Sequence, residues 1–252
     1  MNARKSPLLV AHRGFSAKFP ENTLLAFEQA ALVGVDMVEF DVQATKDGHL
    51  VVLHDASVDR TTNGTGLVSE LTLEEVKSLD AGRGQPVPTL KEVAAWSVNR
   101  TGLQAELKVR GFARTFLDDL EGGGDGVLER ALVSSFDHAA LRELKSLKPE
   151  LAVATLEGQA PVRSERGVEK LARRFVKRAL EVGAEAIHPH YFNAFPELVE
   201  AAHAAGLRVH VWTVNSPVLV KALLEMGVDG VISDDPVGVS FALKLGNQRR
   251  QT

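Results

Sequence analysis

The sequence predicts an α/β fold, a (β/α)8 barrel with a short excursion after its second strand. Three observations lead there. Short runs rich in β-branched residues alternate with longer amphipathic segments along nearly the whole chain, the pattern of a parallel sheet covered by helices. The parallel runs number eight, the count at which such a sheet closes on itself. A chain of 252 residues also has the length of one closed barrel of the TIM type, so residues 1–252 are expected to form a single domain.

Strands are predicted at 8–12, 36–42, 103–108, 131–136, 151–155, 185–189, 207–213 and 228–233. Helical periodicity fills the gaps between them at Thr23 to Val33, Leu90 to Val98, Phe112 to Leu120, Val168 to Val182, Phe195 to Ala205 and Pro217 to Met226. Gly206 and Gly227 stand where the last two of these helices need a C-cap. One segment breaks the alternation. Leu50 to His54 follows the second strand too soon for a crossover helix and must return antiparallel. Read as a two-residue hairpin loop, Asp47-Gly48 pairs Lys46 with His49 and sets Asp41 opposite His54. A slip of one residue would exchange the faces.

Residues 55–88 hold several glycines and a capping box at Thr72 and Glu75, and read as a small insertion above the barrel mouth. The polar tail from Asn247 to Thr252 is expected to fray.

Composition narrows the chemistry. With 44% hydrophobic and 25% charged residues the chain is ordinary for a globular protein. Cysteine is absent, which excludes disulfides, thiolate nucleophiles and thiolate zinc sites, so any metal must be held by oxygen or imidazole. The net charge is −4 and basic residues are scattered, apart from Arg173, Arg174, Lys177 and Arg178 on one predicted helix, so no nucleic-acid partner is expected. No stretch approaches the ~18 apolar residues of a membrane span. Arg4 and Lys5 precede an apolar run too short for a signal peptide, which makes a cytoplasmic protein the expectation. Nothing in the pattern specifies an oligomeric state.

In barrels of this class, catalytic groups come from the C-terminal ends of different strands. Those ends are polar here. The first strand ends in His12-Arg13-Gly14, the second carries Glu39 and Asp41, its return partner ends in His54-Asp55, and the third carries Glu106 and Lys108. Strand alternation puts Glu39 and Asp41 on one face, and likewise Glu106 and Lys108. If both pairs face the mouth, three carboxylates converge and cannot all stay ionised without a cation among them. An all-oxygen set suits magnesium, calcium or manganese. The competing reading pairs these acids with Arg13 and Lys108 as structural ion pairs.

His12 and His54 beside such a cluster can act as general acid and base. Arg13 and Lys108 are the natural contacts for phosphate oxygens. Trp212, ending the seventh strand, can present a flat face to a small substrate or simply fill the core. His188 and His190 could face the mouth as well, but nothing pairs them with an acid. His49, His138, His203 and His210 have no partner that can be named from the sequence and read as structural or solvated.

The ordered set His12-Arg13-Gly14, Pro20-Glu21-Asn22-Thr23, Val38-Glu39-Phe40-Asp41-Val42, Thr45-Lys46-Asp47-Gly48, His54-Asp55 and Arg60 to Gly66 resembles the glycerophosphodiester phosphodiesterase family. So do Glu106-Leu107-Lys108, Val211 to Asn215 and Gly227 to Gly230, whereas residues 110–185 match weakly. The resemblance implies a barrel hydrolase that converts glycerophosphodiesters to glycerol 3-phosphate and an alcohol, in lipid and glycerol metabolism, with one divalent ion as cofactor. It implies Glu39, Asp41 and Glu106 as metal ligands, His12 and His54 as the acid and base pair, and Arg13 and Lys108 as phosphate contacts. Asn22 and Thr23 belong to the family motif too; they read first as the cap of the helix that follows, with shaping of the phosphate pocket as their second reading. Three alternatives are weighed: a lysophospholipase of the D or C type, which would need an apolar groove at the mouth; a barrel that binds phosphate without turnover; and a metal-using sugar isomerase, which would not need the two cations.

Overall fold

A computed structural model describes residues 6–162 and 164–250, with side chains described up to 243. Among the described residues, β1 (Leu8–Ala11), β2 (Met37–Ala44), β4 (Gly102–Leu107), β5 (Ala131–Ser135), β6 (Ala152–Glu157), β7 (Ala186–Pro189), β8 (Arg208–Val211) and β9 (Gly230–Ser233) pair in parallel in sequence order. The ladder closes where β1 pairs with both β2 and β9, Val10 opposite Met37 and Ile232. This is the eight-stranded parallel barrel that the alternation predicts.

The remaining strand, β3 (Leu50–Val52), is antiparallel to β2, as expected, but one residue out of the predicted register. Val42 pairs with Val52 and Ala44 with Leu50, so the loop has three residues, Lys46 to Gly48, and Leu53 rather than His54 stands opposite Asp41. The cause is local. Thr45 Oγ1 donates to Asp47 Oδ1 at 2.7 Å and accepts from His49 N at 3.0 Å, while Gly48 takes the left-handed φ of 83° that ends such a loop. β3 occupies the edge of β2 that β1 leaves beyond Val38.

Helices cover the barrel: α1 (Leu24–Val33), α3 (Leu90–Ser97), α4 (Ala113–Glu121), α5 (His138–Leu147), α6 (Glu165–Glu181), α7 (Pro196–Ala204), α8 (Pro217–Met226) and α9 (Pro236–Arg250). The short α2 (Leu73–Lys77) lies in the excursion, opened by the predicted Thr72–Glu75 capping box. The segment expected to fray runs as helix to Arg250; Gln251 and Thr252, like Arg4 and Lys5, lie outside the described residues. Gly227 caps α8 at φ 97°, and Gly206 follows the Ala205 cap of α7.

Alternation divides the side chains of each strand. Val38, Phe40 and Val42 join the large cluster shared with the helices, so Met37, Glu39 and Asp41 face the barrel interior. At the floor of the barrel Met37 packs with Leu132, Ala154 and Ala186 in a separate small cluster. The excursion carries a core of its own, Val51, Leu53, Val58, Val68, Val76, Ala81 and Val87. No helix among the described residues is long and apolar enough to cross a membrane.

Candidate active site

β1 runs into a sharp turn that aims its last residues across the barrel mouth. Gly14 adopts φ 79°, and a Cβ there would lie 2.7 Å from the backbone of Ala26, so only glycine lets α1 approach. Arg13 is itself at φ 56°. Its backbone N–H donates to Glu39 Oε2 at 2.9 Å. The turn thus locks the head of β1 onto the acid of β2.

Glu39, Asp41 and Glu106 meet as the strand pattern predicts. One oxygen from each lies within 4.8 Å of the others. Asp41 has two cations, Arg13 Nε at 3.3 Å and Lys108 Nζ at 3.1 Å, and Lys108 also donates to Glu106 Oε1 at 2.7 Å. The structural ion pairs weighed in the sequence therefore exist, but they compensate the cluster unevenly. Burial acts against the charge of Asp41, yet Lys108 and Arg13 hold its pKa below the ordinary value. Burial, and then the charge of Asp41, push Glu39 up to about 8 and move Glu106 in the same direction. Glu39 is left with one backbone N–H and, 4.0 Å away, His12 Nε2. A buried carboxylate that can ionise only at such a cost is a position where a further cation would be stabilising. The donors are all oxygen, and Asp41 Oδ1 is buried without a well-directed hydrogen bond. The residues fit a hard divalent ion.

Both histidines at the mouth are oriented by carboxylates. His12 Nδ1 bonds Asp234 Oδ1 at 2.6 Å, and His54 Nδ1 bonds Asp55 Oδ1 at 2.6 Å, which leaves each Nε2 free of that carboxylate. Burial alone would lower the His12 pKa, but Glu39 and Asp234 outweigh it and raise it. Asp234 is held down to about 2, against its own burial, by His12, Asn215 and Ser16. Behind His54, Arg60 clamps Asp55 at 2.6 Å and Glu21 at 2.8 Å, and Glu21 in turn holds Arg13 at 3.1 Å. The run that begins at Arg60 thus ties the excursion to both histidine arms.

His54 reaches the site although the predicted register fails, because the chain bends over β2 after Leu53, whose N–H donates to the Asp41 carbonyl at 3.0 Å, with Gln43 Nε2 donating to the His54 carbonyl at 3.2 Å. A cavity of about 180 Å³ is lined by His12, Arg13, Glu39, His54, Glu106 and Trp212. Trp212 is fixed by its indole N–H, which donates to the His188 carbonyl at 2.8 Å.

Other expectations are redistributed. Thr23 caps α1, as predicted, but Asn22 does not: at φ 58° it donates to Asp41 Oδ2 at 2.9 Å and accepts from the Asp41 N–H. His188 is buried inside the barrel against His210, 3.1 Å away, and is no part of the mouth. His190 stacks on Phe192 and meets Trp212 edge-on. His203 bonds Asp229 at 2.8 Å, and His138 lies 3.9 Å from Glu157. Sequence reasoning gave no role to Asp234, Asn215 or Phe136, although Asn215 stands in one of the motifs that carry the resemblance.

A family model described as the glycerophosphoryl diester phosphodiesterase family matches residues 12–237. The chain belongs to this family. A glycerophosphodiester phosphodiesterase of Caldanaerobacter subterraneus subsp. tengcongensis is 39% identical over 242 residues, covering 91% of this chain and 94% of that protein. Among solved structures, a phosphodiesterase of Oleispira antarctica in complex with the product sn-glycerol-3-phosphate superposes with a TM-score of 0.82 at 30% identity, covering 95% of this chain and 97% of that one. A putative glycerophosphoryl diester phosphodiesterase from Silicibacter pomeroyi gives a TM-score of 0.83 at 26% identity, covering 97% and 95%. The matched span of the family model includes His12, Glu39, Asp41, His54, Glu106, Trp212 and Asp234.

Proposed function

We propose that this chain hydrolyses glycerophosphodiesters to glycerol 3-phosphate and an alcohol, using a divalent cation held by Glu39, Asp41 and Glu106. The observation that carries the proposal is the uneven charge balance of the acidic cluster: Lys108 and Arg13 sit on Asp41, and buried Glu39 has only the Arg13 backbone N–H and, 4.0 Å away, His12 Nε2. Magnesium, calcium and manganese all suit the donor set. When bound, such an ion supplies Lewis-acid polarisation of the phosphoryl group and stabilises the charge that develops on it.

The side chains around the cluster then have distinct tasks. Arg13 and Lys108, poised at the edge of the carboxylates, attract the phosphate oxygens and hold the diester in place. His12 and His54 serve as the general acid and base. Each has Nδ1 committed to an aspartate, so Nε2 is the nitrogen that exchanges a proton with the reacting groups. Trp212 offers its face to the glycerol carbons. The nucleophile is water or the neighbouring glycerol hydroxyl; the latter gives a cyclic phosphate, which ³¹P NMR of the reaction mixture would register as a transient signal.

The test is release of glycerol 3-phosphate from glycerophosphocholine and glycerophosphoethanolamine by chelator-treated protein, before and after each metal is added. Release restored by metal supports the proposal. Protein inactive with every metal and diester that still binds phosphate ligands would favour a barrel that binds without turnover. Exposed apolar side chains such as Phe136 do occur at the mouth, so lysophosphatidylcholine belongs in the same assay as the lipid alternative.

A further inference from the structure

A second cavity lies beside the first, over the C-terminal ends of β5 and β6. It measures about 400 Å³ and shares two wall residues, Phe136 and Leu156, with the 180 Å³ cavity. The smaller space falls below the ~300–1,000 Å³ range of sites that enclose a drug-sized ligand. It can take the phosphoryl group and one small substituent, and the remainder of a diester must lie elsewhere. The larger cavity is the neighbouring space with a common wall.

The chemistry of that cavity is one-sided. Three arginines line it, Arg110, Arg142 and Arg178, against two carboxylates, Asp137 and Glu157. Each carboxylate has an arginine partner, although Glu157 Oε1 stays buried without a hydrogen bond among the described residues, with His138 Nε2 3.9 Å away. Arg110 forks onto Asp137 through Nε and NH2, and Asp137 also caps α5 by accepting from Ala139 N at 3.0 Å. Arg178 NH1 donates to Glu157 Oε2 at 2.9 Å, leaving its other donors uncommitted to that acid. Arg142 is exposed and has no carboxylate partner among the described residues. A guanidinium fork without a partner, flanked by two more, is an acceptor-seeking surface that repels a quaternary ammonium and attracts a phosphate or carboxylate. Phe136, one of the two shared wall residues, meets Trp212 of the smaller cavity edge-on with centroids 5.7 Å apart, so the wall between the two spaces is apolar.

We infer that the Arg110–Arg142–Arg178 cavity is the subsite for the leaving alcohol and selects alcohols that carry an anionic group of their own, a phosphate or a carboxylate. The inference rests on the diesterase reading above and specifies its substrate class. Arg142 is the specificity-determining residue. Arg178 is not suited to a clean test, since its loss would strand the buried Glu157.

The experiment compares kcat/KM for three diesters that share the glycerol 3-phosphate half and differ in the leaving alcohol: glycerol, glycerol phosphate and glycerate. Wild type, Arg142→Glu and Arg142→Lys are measured in parallel at low and moderate salt. We expect the phosphorylated or carboxylated alcohol to be preferred over glycerol about tenfold or more in the wild type. Arg142→Glu should remove most of that preference, Arg142→Lys should retain part of it, and added salt should weaken it. The phosphate and glycerate arms separate the two anion types. Equal rates on all three diesters, or a preference that survives Arg142→Glu, would overturn the subsite while leaving the diesterase reading intact. Failure to cleave any of the three while glycerophosphocholine is cleaved would overturn the subsite alone, and failure on all four with any metal would overturn both.

Discussion

In the first half of the barrel, β1, β2 and β4 present His12, Glu39, Asp41 and Glu106 to the mouth, and His54 joins them from beyond β3. In the second half, β7 and β8 carry His188 and His210 on the same inward face, but deeper. His12 and His54 each have an aspartate on Nδ1 at 2.6 Å. His188 and His210 have only each other, and their outer nitrogens, His188 Nδ1 and His210 Nε2, find no partner among the described protein atoms. Gly230 makes room for this pair, since a Cβ there would lie 3.0 Å from the His210 ring. The consequences diverge. The carboxylates around His12 raise its pKa against burial, whereas burial, aided by Arg208 and opposed by Asp229, drives His210 down to about 4, and burial beside His210 takes His188 well below its ordinary value. The same residue type in one barrel is set among carboxylates at the mouth, where we propose that it carries protons, or held as a neutral filler inside, according to the charges within reach.

The largest predicted effect breaks the first half. Glu106→Gln keeps the shape of the side chain but removes one anion of the cluster, and should lower metal-dependent kcat/KM by on the order of 10³-fold or more, read from glycerol 3-phosphate release at saturating metal. His54→Ala comes next, with a loss of about 10²–10⁴-fold, the usual worth of a positioned proton-transfer group. Both variants should unfold in urea near the wild-type midpoint. His210→Ala should do the reverse. The cavity it leaves costs about 2–4 kcal/mol of stability, visible as a lower urea midpoint, while the kcat/KM of the folded fraction changes far less than in His54→Ala.

A smaller effect sharpens the comparison through pH. His210 titrates near 6.5 when unfolded and near 4 when folded. Between those values the unfolded chain binds more protons, so stability is full above pH 6.5 and falls as pH drops toward 4. For this one group the loss is about 3 kcal/mol across the window. Urea unfolding of His210→Leu against wild type at pH 7 and pH 5 measures it: the gap between the two midpoints should shrink or invert at pH 5. A gap independent of pH would mean that His210 is not held neutral by burial.

The contrast also accounts for what the sequence reveals. The eight parallel strands are legible because strand and helix periodicities differ and each strand is covered by the helix beside it. Glu39 with Asp41 and Glu106 with Lys108 are legible because alternation fixes which residues share a face. The partner of His12 is not legible, since Asp234 comes from the far end of the chain, 222 residues away, and arrives only when β9 closes onto β1. The hairpin register is misread because Asp47-Gly48 satisfies a two-residue loop in the abstract, whereas the Thr45 hydroxyl selects a loop of three. Asn22 is misread because two polar residues precede α1 and the cap needs one; the spare amide goes to Asp41. The second half of the barrel is the least legible part, because neutral histidines and aromatic contacts carry no spacing rule of their own.

Binding of a divalent ion by the acidic cluster of the first half is the central proposal. Calorimetric titration of chelator-stripped protein with manganese tests this without reference to turnover. We expect one high-affinity ion per wild-type chain and no such binding in Glu39→Gln, with His210→Ala binding as the wild type does. Unchanged manganese binding in Glu39→Gln, or no binding in the wild type, would contradict it.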